Sequence, residues 1–584
     1  MPRFDRILAQ TRFTEHTVMA LCGVVIGILG GLGALGFKLL IKIGQYLFYG
    51  PGHDLLEIAQ GLPTYHKIIA PVVGGFIVGP IIYYLAREAK GHGVPEVMES
   101  IVIRGGVIRP RVVLIKALAS ATSIGSGGSV GREGPIVQIG SALASTFGQI
   151  LKVSGERMRT FVGCGAAAGI AATFNAPIAG ALFSLEIVLG DWGISRFTPI
   201  VISSVMATVV TRHFKGNFPT FEAPSYEMVS PLELGPYIIL GLLVGLVGWI
   251  FIVVLYRSED IFDASPLPEQ IRPALGGLLV GSLGIFWPHV LGVGYESINL
   301  ALDGQMVWGL MGALIIIKML ATSLTIGSGH SGGIFTPCLF MGAMTGGLFG
   351  YYVHSLFPAY TASSGAYALV AMGAMVAATT QAPITAIIIV FELTRSYTII
   401  LPLMTACIVA NIVSVSLSRE SIYTLKLARR GLSIVAGREV SVMKALRVNE
   451  VMTDRMRTFY EGTPLSTLLD EALSSPYSYF PVVDGNGHMT GIFSLQDLRM
   501  VLMEDMATLG PLVVARDIAT TDGLITVTPE DDLDLVFQKF GQKNIEEIPV
   551  VSPEEPSRVI AMVRRKDVIE AYNKEILRRT ATQA

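Results

Sequence analysis

The sequence predicts a polytopic, all-α membrane protein of two homologous repeats with broken helices, followed by a small soluble α/β domain pair. Three observations predict it. First, 51% of the 584 residues are hydrophobic, 15% are charged and the mean hydropathy is +0.57, whereas an ordinary soluble domain is about a quarter charged. Second, residues 441–584 carry 37 Asp, Glu, Lys and Arg, against 51 in the preceding 440 residues. That division assigns lipid as the solvent of the first three-quarters and water as that of the rest. Third, apolar stretches recur in the same order in two halves, and in each half one is cut by a Gly-rich turn. Irregular backbone at membrane depth is tolerated only where protein or a watery cavity satisfies it, so the cut segments are candidates for a transport site.

The N-terminus comes first. Arg3, Arg6 and Arg12 precede the first apolar run with only Asp5 and Glu15 in opposition, which places this end in the cytoplasm. The polar start and the long apolar run without a clear cleavage site do not read as a signal peptide. A cytoplasmic soluble tail then implies an even number of crossings. The net charge of −2 gives no reason to expect nucleic acid as a partner. Cys22, Cys164, Cys338 and Cys407 lie far apart in apolar stretches and read as buried small hydrophobes, not as a disulfide or zinc framework.

Apolar stretches run roughly 17–42, 67–86, 111–123, 136–151, 161–189, 197–211, 235–256, 273–293, 306–325, 333–356, 365–393 and 398–418. Several reach the ~20 residues a helix needs to span a bilayer. Lys116–Pro135 and Lys318–Pro337 share 10 identities in 20 at an offset of 202. The same offset pairs PVVGGFIVG from Pro71 with PALGGLLVG from Pro273. At an offset of 206, AATFNAPIAGALFSLE (171–186) matches AATTQAPITAIIIVFE (377–392), each ending on a glutamate nine residues after the proline. Three matches in order at a near-constant offset define repeats of about 17–212 and 235–418.

The tail repeats itself too. PVVDGNGHMTGIFSLQDL (481–498) resembles PVVSPEEPSRVIAMVRRKDV (549–568). Each copy reads as a strand, a turn, a second strand and a helix beginning near the aspartate. Two such units need each other to bury their sheets. The division is therefore a membrane domain over 1–425, a linker over 426–446, units over 447–508 and 509–576, and a tail over 577–584.

The broken segments carry the chemistry. GSGGSVGREGP leads to a helix start at Pro135, and GGIFTP to another at Pro337. A helix N-terminus presents unpaired N–H groups and about half a positive charge. Two such ends aimed at one region hold a small anion without a full positive charge, so the ion can leave again. Neither turn has the Gly-Lys-Ser/Thr of a phosphate loop. Glu133 departs from the repeat, its counterpart being Phe335. A carboxylate at membrane depth costs about 3 kcal/mol on insertion scales. Beside an anion site it acts as a tethered anion that leaves on protonation. The structural alternative is a pair with Arg132.

GHGVPE (91–96), GREGP (131–135), GGIFTP (332–337) and SIY (421–423) resemble the signature motifs of the CLC chloride channel and transporter family. The resemblance covers essentially residues 17–425. The tail is similar to a pair of CBS domains, which many family members carry there. The resemblance implies a homodimer with one pore per subunit, each built from two inverted halves in the bilayer, and makes Glu133 the gate. It implies a central anion held by the N–H groups of Ile334 and Phe335 and the hydroxyl of Tyr423, and an outer one near Glu133 and Gly134. The chain reads as an inner (plasma) membrane protein with both termini cytoplasmic, and since no nucleophile–base or metal-ligand pair recurs in the apolar runs, no enzyme activity and no required cofactor are expected. Lys116, repeated as Lys318, reads as structural or field-shaping.

Two departures bear on mechanism. Where the family usually has a serine hydroxyl at the central site, this chain has His92. Its imidazole N–H either donates to the anion, with a titration near neutral pH, or turns away while a backbone N–H substitutes. Where coupled antiporters carry an internal proton-transfer glutamate, this chain has Ile187, after Glu186. That favours a gated chloride channel, with a proton-coupled chloride antiporter as the alternative and a CBS-linked magnesium channel more distant. Magnesium would require several pore-facing carboxylates, and the broken segments offer only Glu133. Ser494 and Asp497 fit the CBS pattern for nucleotide ribose. In the second copy Asp567 remains and Arg564 replaces the hydroxyl. An adenine nucleotide there, or a purely structural pair, are the two readings.

Overall fold

Long apolar runs rich in Gly and Ala can satisfy their backbone in lipid only as helices, and the membrane part is helical throughout its regular structure. The computed structural model describes residues 14–581 apart from 53, 154, 218–220, 222–223, 225, 395–396, 431, 433, 436–437, 440–442, 444–445, 476, 504–512 and 544. The first helix, Glu15–Tyr49, starts at Thr14, whose Oγ1 accepts from the Thr17 N–H at 3.4 Å. Among the described residues six helices are long and apolar enough to cross a bilayer: Glu15–Tyr49, Thr64–Leu85, Arg196–Lys215, Pro231–Asp263, Trp308–Gly327 and Ile400–Leu417. Their outer faces expose large apolar side chains such as Leu39, Phe76, Val253 and Ile412, a surface suited to lipid.

The repeats meet reciprocally. Helices Thr64–Pro80 and Arg272–Phe286 pack through their Pro-x-x-Gly-Gly segments. A side chain at Gly75 would strike the Pro273 carbonyl, and one at Gly277 would strike the Pro71 carbonyl. The two glutamates do the same at the other contact. Glu186 Oε2 accepts from the Thr385 N–H at 2.7 Å and the Thr385 hydroxyl at 2.6 Å. Glu392 accepts from the Ile178 and Ala179 N–H groups at 3.1 and 2.7 Å. Each repeat thus caps, with a carboxylate, the helix after the other repeat's Ala-Pro, where the dipole favours negative charge. Such exchange of identical contacts defines a local two-fold.

Residues Gly431–Ala584 form a separate compact unit. In its first copy, strand Phe459–Tyr460 pairs parallel with Tyr479–Val483, which pairs antiparallel with Met489–Ser494. In the second, Glu547–Val551 pairs antiparallel with Val559–Arg564. Entry segments are exchanged: Val448, at the start of the first copy, is buried in the core of the second with Leu533, Phe540 and Val563. Ala515, at the start of the second, is buried in the core of the first with Phe459, Leu468 and Phe493. Neither core is complete without the other copy.

The linker boundary differs from the expected 426. The chain through Arg430 belongs to the membrane unit, and Lys426 and Leu427 are buried in helix Thr424–Arg429. Ion pairs hold that helix down, with Arg429 Nη1 2.7 Å from Asp260 Oδ1 and Arg430 Nη2 2.8 Å from Glu96 Oε1. The expected boundary between the two CBS units, at 508/509, lies outside the described residues.

Candidate anion-conducting site

Both broken segments resume as helices two residues earlier than their prolines, at Glu133 (Glu133–Leu151) and Phe335 (Phe335–Leu356). The preceding loops are laced together. Gly131 N–H donates to Gly333 O at 2.7 Å and Gly333 N–H returns to Gly131 O at 2.6 Å. Gly91 N–H donates to His330 O at 3.0 Å, and Gly332 N–H to Gly91 O at 3.3 Å. A side chain at Gly134 would run into the His92 carbonyl, and one at Gly333 would lie 2.8 Å from Gly134 N. The two helix N-termini therefore abut, and their first N–H groups have no intrahelical acceptor. Behind them, fully buried Lys116 donates to Ala89 O and Gly91 O at 3.0 and 2.8 Å. Lys318 donates likewise to Val290 O and Gly292 O at 3.2 and 3.1 Å. The lysines bind matching loop carbonyls in the two repeats.

Glu133 is 1% exposed. Its Oε1 accepts from the Tyr295 hydroxyl at 2.8 Å, while Oε2 is buried without a protein partner. Arg132, the alternative partner, has Nε only within 4.0 Å of Oε1 and its guanidinium 5.0 Å over the Tyr295 ring. Tyr295 is therefore the tight partner, and sequence reasoning missed it. The signal was present: GVGYES (292–297) repeats the G-x-G of GHGVPE, with positive φ at Gly91, Gly93, Gly292 and Gly294.

Ile334 and Phe335 are each 1% exposed, and the Phe335 ring lies 5.6 Å from that of Phe174. Tyr423 is 2% exposed. Its segment is fixed by Ile422, whose N–H donates to Thr379 O at 2.9 Å and whose carbonyl accepts from Tyr256 at 2.7 Å. The His92 ring lies 5.8 Å from the Tyr423 ring, and its Nδ1 is buried without a protein partner. The structure thus gathers His92, Gly134, Ile334 and Phe335 onto loops and helix starts laced to one another, with the Tyr423 ring beside His92.

Ile187 is buried in the π-helical turn Ser184–Leu189. Its neighbour Glu186 is bonded through both oxygens to the Pro383 helix, matching the structural role of Glu392.

In the soluble unit Asp497 Oδ2 accepts from the Ser494 N–H and hydroxyl at 2.7 and 2.8 Å. Both line a cavity of about 140 Å³ with Tyr479, Thr520 and Glu547. Burial pushes the Glu547 carboxyl above its usual range, against the pull of the Ser478 and Tyr479 N–H groups. Asp567 is instead paired with Arg564 at 2.5 and 3.0 Å, so the two copies are not equivalent.

Helix ends abutting beside an enclosed carboxylate, in a membrane fold of two related halves, define an anion-transport protein. The chain belongs to the CLC family: the voltage gated chloride channel model matches residues 74–415, and the CBS domain model matches 448–504 and 515–574. This removes the magnesium-channel alternative. A protein named chloride channel protein ClcB-like from Ralstonia nicotianae is 38% identical over 416 residues, 70% of this chain and 97% of that one. The H+/Cl− exchange transporter ClcA of Salmonella arizonae is 32% identical over 444 residues, 73% of this chain and 91% of that one. The crystal structure of a slow cyanobacterial Cl−/H+ antiporter matches with a TM-score of 0.63 at 28% identity, over 71% of this chain and 98% of that chain.

Proposed function

We propose that the protein exchanges chloride for protons across the plasma membrane, as a homodimer with one pore per subunit and both termini cytoplasmic. The observation that carries this reading is the Glu133 carboxylate, enclosed at the start of a helix with one oxygen held by Tyr295 and the other unbonded. Ionised, it occupies an anion position at the helix end. Protonated, it loses its charge and yields that position to chloride. The central anion is held by the N–H groups of Ile334 and Phe335 and by the Tyr423 hydroxyl, with His92 beside it. The outer anion uses the amides near Glu133 and Gly134. Coupling to protons is supported by the exchange named for two of the relatives described above.

A gated channel is the second reading, and Ile187 favours it because its side chain carries no proton. The reversal potential of the reconstituted protein across a pH gradient at fixed chloride separates the two. A shift towards the proton potential supports exchange; a Nernstian chloride value insensitive to pH supports the channel and dismisses exchange. In the soluble pair, the Ser494–Asp497 cavity is proposed to take an adenine nucleotide, its carboxylate accepting from ribose hydroxyls.

A further inference from the structure

Exchange requires a proton route to Glu133 from the inner side. Ile187 cannot supply it, and Glu186 is occupied by the Pro383 helix. Another set of polar groups lies close by. Helix Val94–Ile103, which follows the His92 loop, carries Glu96 and Glu99. With Glu88, Ser100, Arg109 and Gln138 they line a cavity of about 50 Å³. A water needs about 10–15 Å³ of such space, so a short file of roughly three or four fits. Arg430, the last residue of the membrane unit, is bonded to both Glu96 and Glu99. The cavity therefore lies on the side where the chain leaves for its soluble tail.

Gln138 also lines the cavity, five residues beyond Glu133 on the helix that Glu133 begins. Gln138 Nε2 donates to Glu88 O at 2.8 Å, but its Oε1 is buried without a protein partner. A side chain at Gly93 would lie 3.0 Å from that Oε1, so Gln138 sits against the loop that carries His92. His92 Nδ1 is likewise buried without a protein partner. Buried polar atoms of this kind are normally satisfied by water. Here two occur, one on a polar cavity and the other on the loop against which Gln138 sits.

We propose that this cavity is the inner proton inlet, and that Gln138 and His92 carry the proton onward to Glu133 in place of an acid at position 187. The proposal rests on the exchange reading. Carboxylates and the arginines paired with them make the inlet polar and hydrated, and Gln138 orients water towards the loop. The imidazole takes a proton at one ring nitrogen and releases the proton of the other to the Glu133 carboxylate, so no net charge stays on the ring. The charged groups around the ring and its loop are Lys426, Lys116 and Arg430, with Glu96 paired to Lys426 and Arg430, and the Tyr423 ring lies 5.8 Å from the imidazole.

The test measures chloride and proton fluxes side by side in liposomes holding the full-length protein. Gln138→Met conserves volume and removes the amide. It is expected to lower proton flux at least tenfold while chloride flux stays within twofold, and Gln138→Glu is expected to restore coupling. Val97→Met, which narrows the cavity without touching a polar group, is expected to give the same loss and guards against a folding defect in the first variant. Wild-type protons per chloride retained in both Met variants would overturn the inlet and leave exchange standing. A wild type that moves no protons would overturn both.

Discussion

At the first broken turn the chain places Glu133, and at the equivalent point of the second repeat it places Phe335. Around that one difference the scaffolds coincide. Lys116 and Lys318 bond matching pairs of loop carbonyls. Glu186 and Glu392 cap each other's repeats. Gly75 and Gly277 admit each other's prolines. Symmetric residues hold the backbone, whereas Glu133, His92 and Tyr295 have no mate of their own kind and cluster at the start of the Glu133 helix. Duplication supplies two helix ends, and asymmetry supplies the buried carboxylate between them.

The comparison can be broken most severely at the shared backbone. Gly134→Val forces a branched side chain into the His92 carbonyl, and isotopic chloride uptake is expected to fall to background. Next comes the asymmetric residue. Wild-type chloride flux is expected to fall as pH rises, because deprotonated Glu133 competes with the anion. Glu133→Gln removes the charge and should make uptake flat with pH; a retained slope would dismiss Glu133 as the gate. Tyr295→Phe removes a hydrogen bond to a carboxylate, worth about 1.5–3 kcal/mol. It should release the gate and raise chloride turnover roughly tenfold or more, by the same free-energy arithmetic.

The symmetric carboxylates sharpen the contrast from the other side. Glu186→Gln and Glu392→Gln are each expected to lower stability by about 1 kcal/mol, read as similar drops in thermal unfolding temperature in detergent. Neither should change the number of protons moved per chloride. Selective loss of proton flux in Glu186→Gln alone would make it a proton carrier after all. The smallest effect on transport is expected in the soluble pair. Asp497→Ala should abolish binding of an adenine nucleotide in equilibrium dialysis, and Asp567→Ala should leave it within twofold because Arg564 already occupies that carboxylate.

Much of this was legible in the chain because it is encoded at short range. The division between lipid and water follows from charge density, and the repeats follow from identities at an offset of 202. The paired helix starts were legible as Gly-rich turns running into helices, since glycine next to a helix start is a local signature. The departures at His92 and Ile187 were visible only against the family resemblance. Helix starts were placed two residues late, because Glu133 and Phe335 enter the helix ahead of their prolines. The linker was begun too early, because ion pairs to Asp260 and Glu96 fasten the last short helix to the membrane unit.

Charge density, repeat identities and turn motifs in the chain were enough to define the repeats, the two solvents and Glu133 as a carboxylate standing opposite Phe335. Only the tertiary structure decided the partner of each of these groups. Glu133 meets Tyr295 across 162 residues, Glu186 meets Thr385 across 199, and Gln138 is left with an unbonded oxygen beside a cavity. Periodicity and turn chemistry act over a few residues and can be read from the chain. Which distant groups share a buried position depends on how all the helices close-pack, and that is settled only when they do.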